Sequence, residues 1–136
     1  MSTLQDILNL NPIDDLSHQV VISNRLLDDS NSPIKFQIKP LLLDDFNRLK
    51  KKASFINKAG EASINEAYLN SLCIIECTLN PNFKDASSIA KFNLATPEQY
   101  LNKVLLAGEA DRLIKEIFHI SGFIDDFEGF VEEIKN

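Results

Sequence analysis

Residues 96–122 read TPEQYLNKVLLAGEADRLIKEIFHISG, and this stretch decides the fold class. Its apolar residues recur at intervals of three and four on both sides of Gly108, which is the spacing of helices with one buried face. Thr96–Pro97 is a helix start signal, and Ser121–Gly122 is a stop signal. The stretch therefore predicts two consecutive helices, with Gly108 as a kink or a cap between them.

The chain upstream of this stretch also has helical spacing, as far back as residue 42. Residues 44–55 carry apolar side chains near helical intervals, opposite a row of lysines. Ser63 followed by Glu66 predicts a capping box at the start of a second, largely buried helix that ends at 80–82. A short helix or turn is predicted over 85–92.

The spacing of apolar residues is helical at the start of the first 40 residues and strand-like later. Residues 2–10 predict a short helix with a one-sided apolar stripe. Residues 19–23 and 34–39 are strand-like, and the turn formers of 28–33 lie between them. The pattern predicts a β-hairpin over about residues 18–39. Two strands are marginal alone, so this hairpin must pack on helices or pair with another chain.

These elements predict an α+β protein that is mainly α, with a small N-terminal β-hairpin and five to six helices in one compact domain. A length of 136 residues suits a single domain spanning 1–136. Within it, residues 1–40 form the short helix and hairpin. Residues 41–136 form a helical body that ends in an acidic C-terminal helix.

Charge is unevenly distributed along the chain. The net charge is −6, which disfavours nucleic acid as a partner. Residues 35–60 nevertheless carry seven basic and two acidic side chains. The basic segment 48–58 is therefore either the solvated face of a helix or the contact surface of a small DNA-associated regulatory protein.

No apolar run reaches the ~20 residues of a membrane span, and the start of the chain lacks the features of a signal peptide. We therefore expect a cytoplasmic protein with no membrane partner.

No residue pattern predicts catalysis or a cofactor. Cys73 and Cys77 lie four apart in an apolar stretch, which favours buried, reduced thiols over a reactive thiol or a metal site. The two histidines, His18 and His119, are isolated. Glycine-rich phosphate loops and nucleophile motifs are absent from the sequence. We expect a binding protein that is not an enzyme, with no metal and no cofactor.

The last segment of the chain offers a candidate partner-binding surface, here called the C-terminal stripe. Its apolar residues share one side of a predicted short helix, and Glu128, Glu132 and Glu133 rim it. Either this helix closes the core of its own domain, or it binds an apolar helix of a partner or of a second copy, with the acidic rim selecting a basic partner. The stripe consists of Phe123, Phe127, Phe130, Val131 and Ile134.

Several motifs carry a resemblance to a known family. Residues 100–113 (YLNKVLLAGEADRL), 117–123 (IFHISGF) and 131–136 (VEEIKN) are similar to the XkdN-like phage tail assembly chaperones. The proline turn within 68–86 and the hairpin region 25–41 also match. The resemblance covers most of residues 18–136, and its most specific part is Ala107-Gly108-Glu109. Two departures stand out, since neither the hairpin turn nor residues 91–94 contain the family's glycine.

The resemblance implies a non-enzymatic chaperone for the assembly of a phage or prophage tail. Such a protein binds the tape-measure protein and keeps it soluble while the tail tube forms. A long helical protein with exposed apolar stripes aggregates unless it is covered, and another helical protein can cover it without a cofactor. The tail tube protein and a second copy of the chain are further candidate partners. The implied location is the cytoplasm of the bacterial host, and the protein is not expected in the finished tail.

Overall fold

Residues 3–10, 13 and 16–123 are described in a computed structural model of the protein. They form six α-helices and five short β-strands, so the predicted α+β class, mainly α with an N-terminal β-hairpin, is confirmed. The helices are α1 (Leu4–Leu10), α2 (Leu43–Lys52), α3 (Glu66–Cys77), α4 (Ala86–Lys91), α5 (Pro97–Val104) and α6 (Ala107–Ile120). The strands are β1 (His18–Val20), β2 (Phe36–Ile38), β3 (Ser54–Ile56), β4 (Ala62–Ile64) and β5 (Thr78–Asn80).

Helix α3 is the central element of the fold. It is apolar on most sides, as a helix enclosed by other elements must be, and it packs against α2, α5 and α6. Its buried residues join one hydrophobic cluster with Phe36 and Ile38 of β2, Phe83, and Leu113 and Ile117 of α6. The helices and the sheet therefore share one core.

A three-stranded antiparallel sheet covers one end of this core, with strand order β1-β2-β5. The pairing of His18 with Ile38 and of Val20 with Phe36 confirms the predicted hairpin, with shorter strands than expected. The third strand was not predicted. Helix α3 ends at Cys77, and Thr78–Asn80 pairs with β2. This pairing satisfies backbone groups of β2 that would otherwise lie at a sheet edge, and it overrides the helical pattern.

A second hairpin, β3 with β4, corrects the prediction that the chain is helical throughout from residue 42. Phe55 pairs with Ser63 in this hairpin, so Ser63 does not cap a helix. The N-cap of α3 is Asn65, whose side chain accepts a backbone hydrogen bond. The turn between the strands depends on Asn57, whose side-chain oxygen accepts two backbone amides at 3.0 Å, and on Gly60 with a φ of 79°.

Two asparagines have a positive φ in the two loops that lack the expected glycine. Asn31, in the turn of the first hairpin, has a φ of 62°, and Asn93, after α4, has a φ of 58°. Both values lie in the left-handed region, which glycine enters without strain and asparagine tolerates better than most residues. The side chain of Asp28 completes the hairpin turn by accepting backbone hydrogen bonds from Ser30 and Ser32. The loops therefore keep a glycine-like backbone without glycine.

The two helices predicted in residues 96–122 are confirmed, but Gly108 does not separate them. The break lies at Leu105 and Leu106, which are both extended, and Gly108 belongs to the first turn of α6. Thr96 caps α5 by accepting a hydrogen bond from the backbone of Gln99, as predicted. The predicted stop is also confirmed, since α6 ends just before Ser121–Gly122.

The predicted N-terminal helix is present as α1, and none of its residues is buried. Its apolar stripe is open, with Leu4 73% and Leu8 65% exposed. Thr3 and Asp6 exchange hydrogen bonds at its first turn. In the described part of the chain, no helix is both long and apolar enough to cross a bilayer.

Cys73 and Cys77 lie in the core as free thiols with no exposed surface, which confirms the prediction that both are buried. Burial raises the pKa of Cys73 to about 11 and that of Cys77 to about 12. Both side chains are therefore protonated at neutral pH and act as small apolar groups.

Thr78→Val tests how the junction of α3 and β5 is stabilised. The Thr78 hydroxyl is buried and has no hydrogen-bond partner among the described residues. Replacing it with an isosteric methyl group removes a desolvated polar group, so we expect a gain of about 1 kcal/mol in the free energy of unfolding. Urea denaturation measures this change.

Thr96→Val is the matched control, because the Thr96 hydroxyl caps α5. It should lower the free energy of unfolding by about 1 kcal/mol. A loss of stability in Thr78→Val would show that the buried hydroxyl makes a stabilising contact.

Candidate functional site

The C-terminal stripe begins at the edge of the folded body. Of its five predicted residues, Phe123 is described, while Phe127, Phe130, Val131 and Ile134 lie outside the described residues. The ring of Phe123 lies 5.3 Å from that of Phe46 and 5.0 Å from that of Phe118, between centroids. We call these three residues the aromatic cluster. Phe123 is still 42% exposed, so the stripe starts at the surface.

A short hydrogen-bonded link fixes the position of the aromatic cluster. The backbone N–H of Leu41, just before α2, donates to Ser121 Oγ at 2.7 Å. The same hydroxyl donates to the carbonyl oxygen of Ile117 at 2.5 Å. The end of α6 is thereby tied to the start of α2, so Phe123 leaves the body at a defined point beside α2.

The basic segment 48–58 is divided between α2, β3 and the turn after β3. Arg48 forms ion pairs at 3.5 Å with Asp45 and with Glu76. The lysines of 50–52 occupy the last turn of α2, where positive charge is favourable to the helix dipole. Lys50 Nζ lies 4.6 Å from the ring centroid of Phe46. Within α2 the basic side chains therefore make the contacts of a surface helix, and the alternative of a DNA-contact surface stays a prediction.

A groove between α3, α5 and α6 is a second candidate surface, and sequence reasoning missed it. Its volume is about 400 Å³, and Leu106 in its lining is 60% exposed. The signal was weak because α3 is distant in sequence from the other two helices, and because Ile74, Leu101 and Ile114 of the lining also belong to the core. The lining consists of Ala67, Asn70, Ser71, Ile74, Leu101, Asn102, Leu105, Leu106, Ala107, Ala110, Asp111 and Ile114.

The α5–α6 junction beside this groove is held by a buried carboxylate. Glu109 is only 4% exposed, and both of its oxygens accept hydrogen bonds from Arg25, at 2.7 and 3.1 Å. Arg25 also donates to the carbonyl oxygen of Val104 at 2.8 Å, and the N–H of Leu106 donates to Glu109 at 2.7 Å. One ion pair therefore joins the N-terminal region, the end of α5 and the start of α6.

Hydrogen bonds from Arg25 lower the pKa of Glu109 to about 2, although burial alone would raise it. Neither residue was predicted to have a role, even though Glu109 belongs to the most specific family motif. A signal was present, because Glu109 lies four residues from Leu105 and four from Leu113, within the apolar stripe of α6. A charged residue at such a position needs a hydrogen-bonding or oppositely charged partner.

The described residues contain no group of three or more His, Cys, Asp or Glu placed to hold a metal ion. The features that stand out are surfaces: the aromatic cluster, the groove, and the exposed stripe of α1. The geometry favours contact with apolar side chains of another element or molecule.

Glu109→Gln tests the pH dependence of the Arg25–Glu109 pair. Because the folded pKa is about 2 and the ordinary value is 4.5, the ionised pair stabilises the fold above pH 4.5, and this contribution is lost as pH falls toward 2. We expect the variant to be less stable than the wild type at pH 7, with a smaller difference at pH 2.5. Urea denaturation at both pH values measures the difference.

Glu116→Gln, on an exposed position of the same helix, is the control for this experiment. Its free energy of unfolding should be close to that of the wild type at pH 7. A stability gap between Glu109→Gln and the wild type that stays constant from pH 7 to 2.5 would contradict the assigned pair.

Comparison with known proteins places these features in a family. The chain is 28% identical over 123 residues to the phage-like element PBSX protein XkdN of Bacillus subtilis, with 87% of this chain and 83% of the relative covered. It is 26% identical to the protein YqbN of the same organism, over the same shares of the two chains. The crystal structure of the protein YqbN has a TM-score of 0.74 at 21% identity, covering 91% of this chain and 99% of that one, which shows a shared fold. The sequence profile of the phage XkdN-like tail assembly chaperone proteins matches residues 4–135, and the chain belongs to that family.

Proposed function

We propose that this protein is a non-enzymatic chaperone that binds the tape-measure protein and keeps it soluble while the tail tube is assembled. Membership of the tail assembly chaperone family supports the general role. The observation that carries the finer proposal is the position of Phe123, which is half-exposed at the edge of the body where the acidic, apolar C-terminal stripe begins.

The C-terminal stripe is the proposed contact surface. An apolar helix of the tape-measure protein would lie against Phe123, Phe127, Phe130, Val131 and Ile134. The five acidic residues in 121–136 would favour a partner with basic residues beside its apolar stripe. Because the acidic rim also repels a second acidic copy, it would limit self-association of the exposed phenylalanines.

The proposal includes a reversible association. The chaperone acts in the cytoplasm of the bacterial host and is released as the tail tube protein, a second candidate partner, polymerises around the tape measure. Covering a helix with apolar contacts requires no reaction, so we assign the protein no cofactor and no catalytic residue.

Co-expression with the tape-measure protein of the same phage tests this proposal. We expect the chaperone to raise the soluble fraction of the tape-measure protein and to be captured with it. Replacing Phe127 and Phe130 together with serine should abolish both effects, because it removes much of the apolar area of the stripe. The measurements are the soluble fraction after centrifugation and the yield of co-purified chaperone.

Replacing Gly129 and Lys135 together with serine is the matched control, since it changes two polar-side positions of the same segment. This variant should behave as the wild type. Unchanged solubility and no capture with the wild-type chaperone would refute tape-measure binding. Loss of capture in Leu106→Ser, with capture retained in the double phenylalanine variant, would transfer the contact from the stripe to the groove.

A further inference from the structure

Helix α2 has an apolar face that the described residues leave partly open. Leu43, Phe46 and Lys50 share this face, at spacings of three and four. Leu43 is 76% exposed, and Phe46 is only half-buried although it belongs to the aromatic cluster. The face ends in a basic turn, because Lys51 and Lys52 are exposed beside Lys50. An occupant of this face should combine apolar and acidic residues.

The chain beyond Phe123 has this composition and starts at this place. Residues 124–136 read IDDFEGFVEEIKN, with five acidic residues and one basic residue. The Phe123 ring lies 5.3 Å from that of Phe46, so the segment leaves the body directly beside the open face. Thirteen helical residues extend about 20 Å, and the ten residues of α2 extend about 15 Å. The segment is long enough to follow α2 to its basic end.

We propose that residues 124–136 dock as an amphipathic helix on the open face of α2 in the unbound protein. Phe127 and Phe130 extend the aromatic cluster over Phe46. Glu132, about 14 Å along the segment from Phe123 at 1.5 Å per residue, comes within reach of the lysine side chains at the end of α2. Burial of the phenylalanines supplies the affinity, and the opposite charges select the docking site.

Charge also distinguishes α2 from the groove between α3, α5 and α6. The groove lining includes Asp111 and contains no lysine or arginine. An acidic segment would meet a like charge there, whereas α2 presents three lysines in its last turn. The electrostatic preference therefore favours α2.

Docking on α2 would cover the C-terminal stripe that we assign to the tape-measure protein. The partner would then have to displace the segment from α2, so docking would lower the affinity of the chaperone for the tape-measure protein. This regulatory consequence rests on the proposed function, whereas the docking does not. It can be measured on the full chain without any partner.

A spin label at the C-terminus tests the docking. Asn136→Cys introduces an accessible thiol for a nitroxide, while Cys73 and Cys77 stay unlabelled at neutral pH because both are buried and protonated. In ¹⁵N NMR spectra, we expect the label to reduce the amide peak intensities of residues 43–53. The loss should reverse when Lys50, Lys51 and Lys52 are all changed to glutamate, and should weaken at about 1 M salt, where the Debye length is about 3 Å.

The matched control reverses the charge at three exposed lysines outside α2, with the same change in net charge. Its substitutions are Lys91→Glu, Lys103→Glu and Lys115→Glu. It should keep the intensity loss. If the α2 variant does not fold, Glu128→Gln, Glu132→Gln and Glu133→Gln together remove the same attraction from the other side.

Three results would overturn the proposal. The first is intensity loss confined to the groove, and the second is no loss anywhere in the body. The third is a loss that appears only between a spin-labelled chain and a separate ¹⁵N-labelled copy, which would assign the segment to a neighbouring molecule. None of these results bears on whether the chaperone captures the tape-measure protein, so failure of docking and failure of the proposed function are distinguishable.

Discussion

The ion pair between Arg25 and Glu109 is the interaction on which the rest of the architecture depends. Glu109 is a buried carboxylate, and its desolvation is compensated because Arg25 and the N–H of Leu106 donate to its oxygens. Arg25 also binds the last carbonyl of α5. The pair thus fixes how α6 is joined to α5. The shape of the groove and the position of the end of α6 follow from this junction. The aromatic cluster stands at that end.

Local signals predicted much of the fold. The helices α5 and α6 and the first hairpin follow from spacing and turn residues, because each of these features acts within a few residues of the chain. The strands β3, β4 and β5 escaped prediction for the opposite reason. Ser63 satisfies a local capping rule, yet its backbone pairs with Phe55, and Thr78 leaves the helical pattern to pair with Ile38. Backbone pairing between distant segments outweighs local preference there.

The candidate surfaces also differ in whether local sequence signals predict them. The C-terminal stripe is contiguous in sequence, and its first residue, Phe123, lies at the surface of the body. The groove is formed by three helices, and no single segment of the sequence predicts it. Glu109 was conspicuous as a charge within an apolar stripe, but its partner is 84 residues away. Sequence spacing reveals that such a residue needs a partner and does not reveal which one.

The placement of α6 also has a consequence for synthesis of the chain on the ribosome. Helix α3 is the centre of the core, and α6, the last described helix, covers it and pairs with the N-terminal region through Glu109. A nascent chain that has exposed α3 cannot enclose it until residues 107–120 have emerged. Long-range contacts of this kind delay closure of a core. The N-terminal hairpin and α3 therefore remain incompletely packed during synthesis until α6 has left the ribosome.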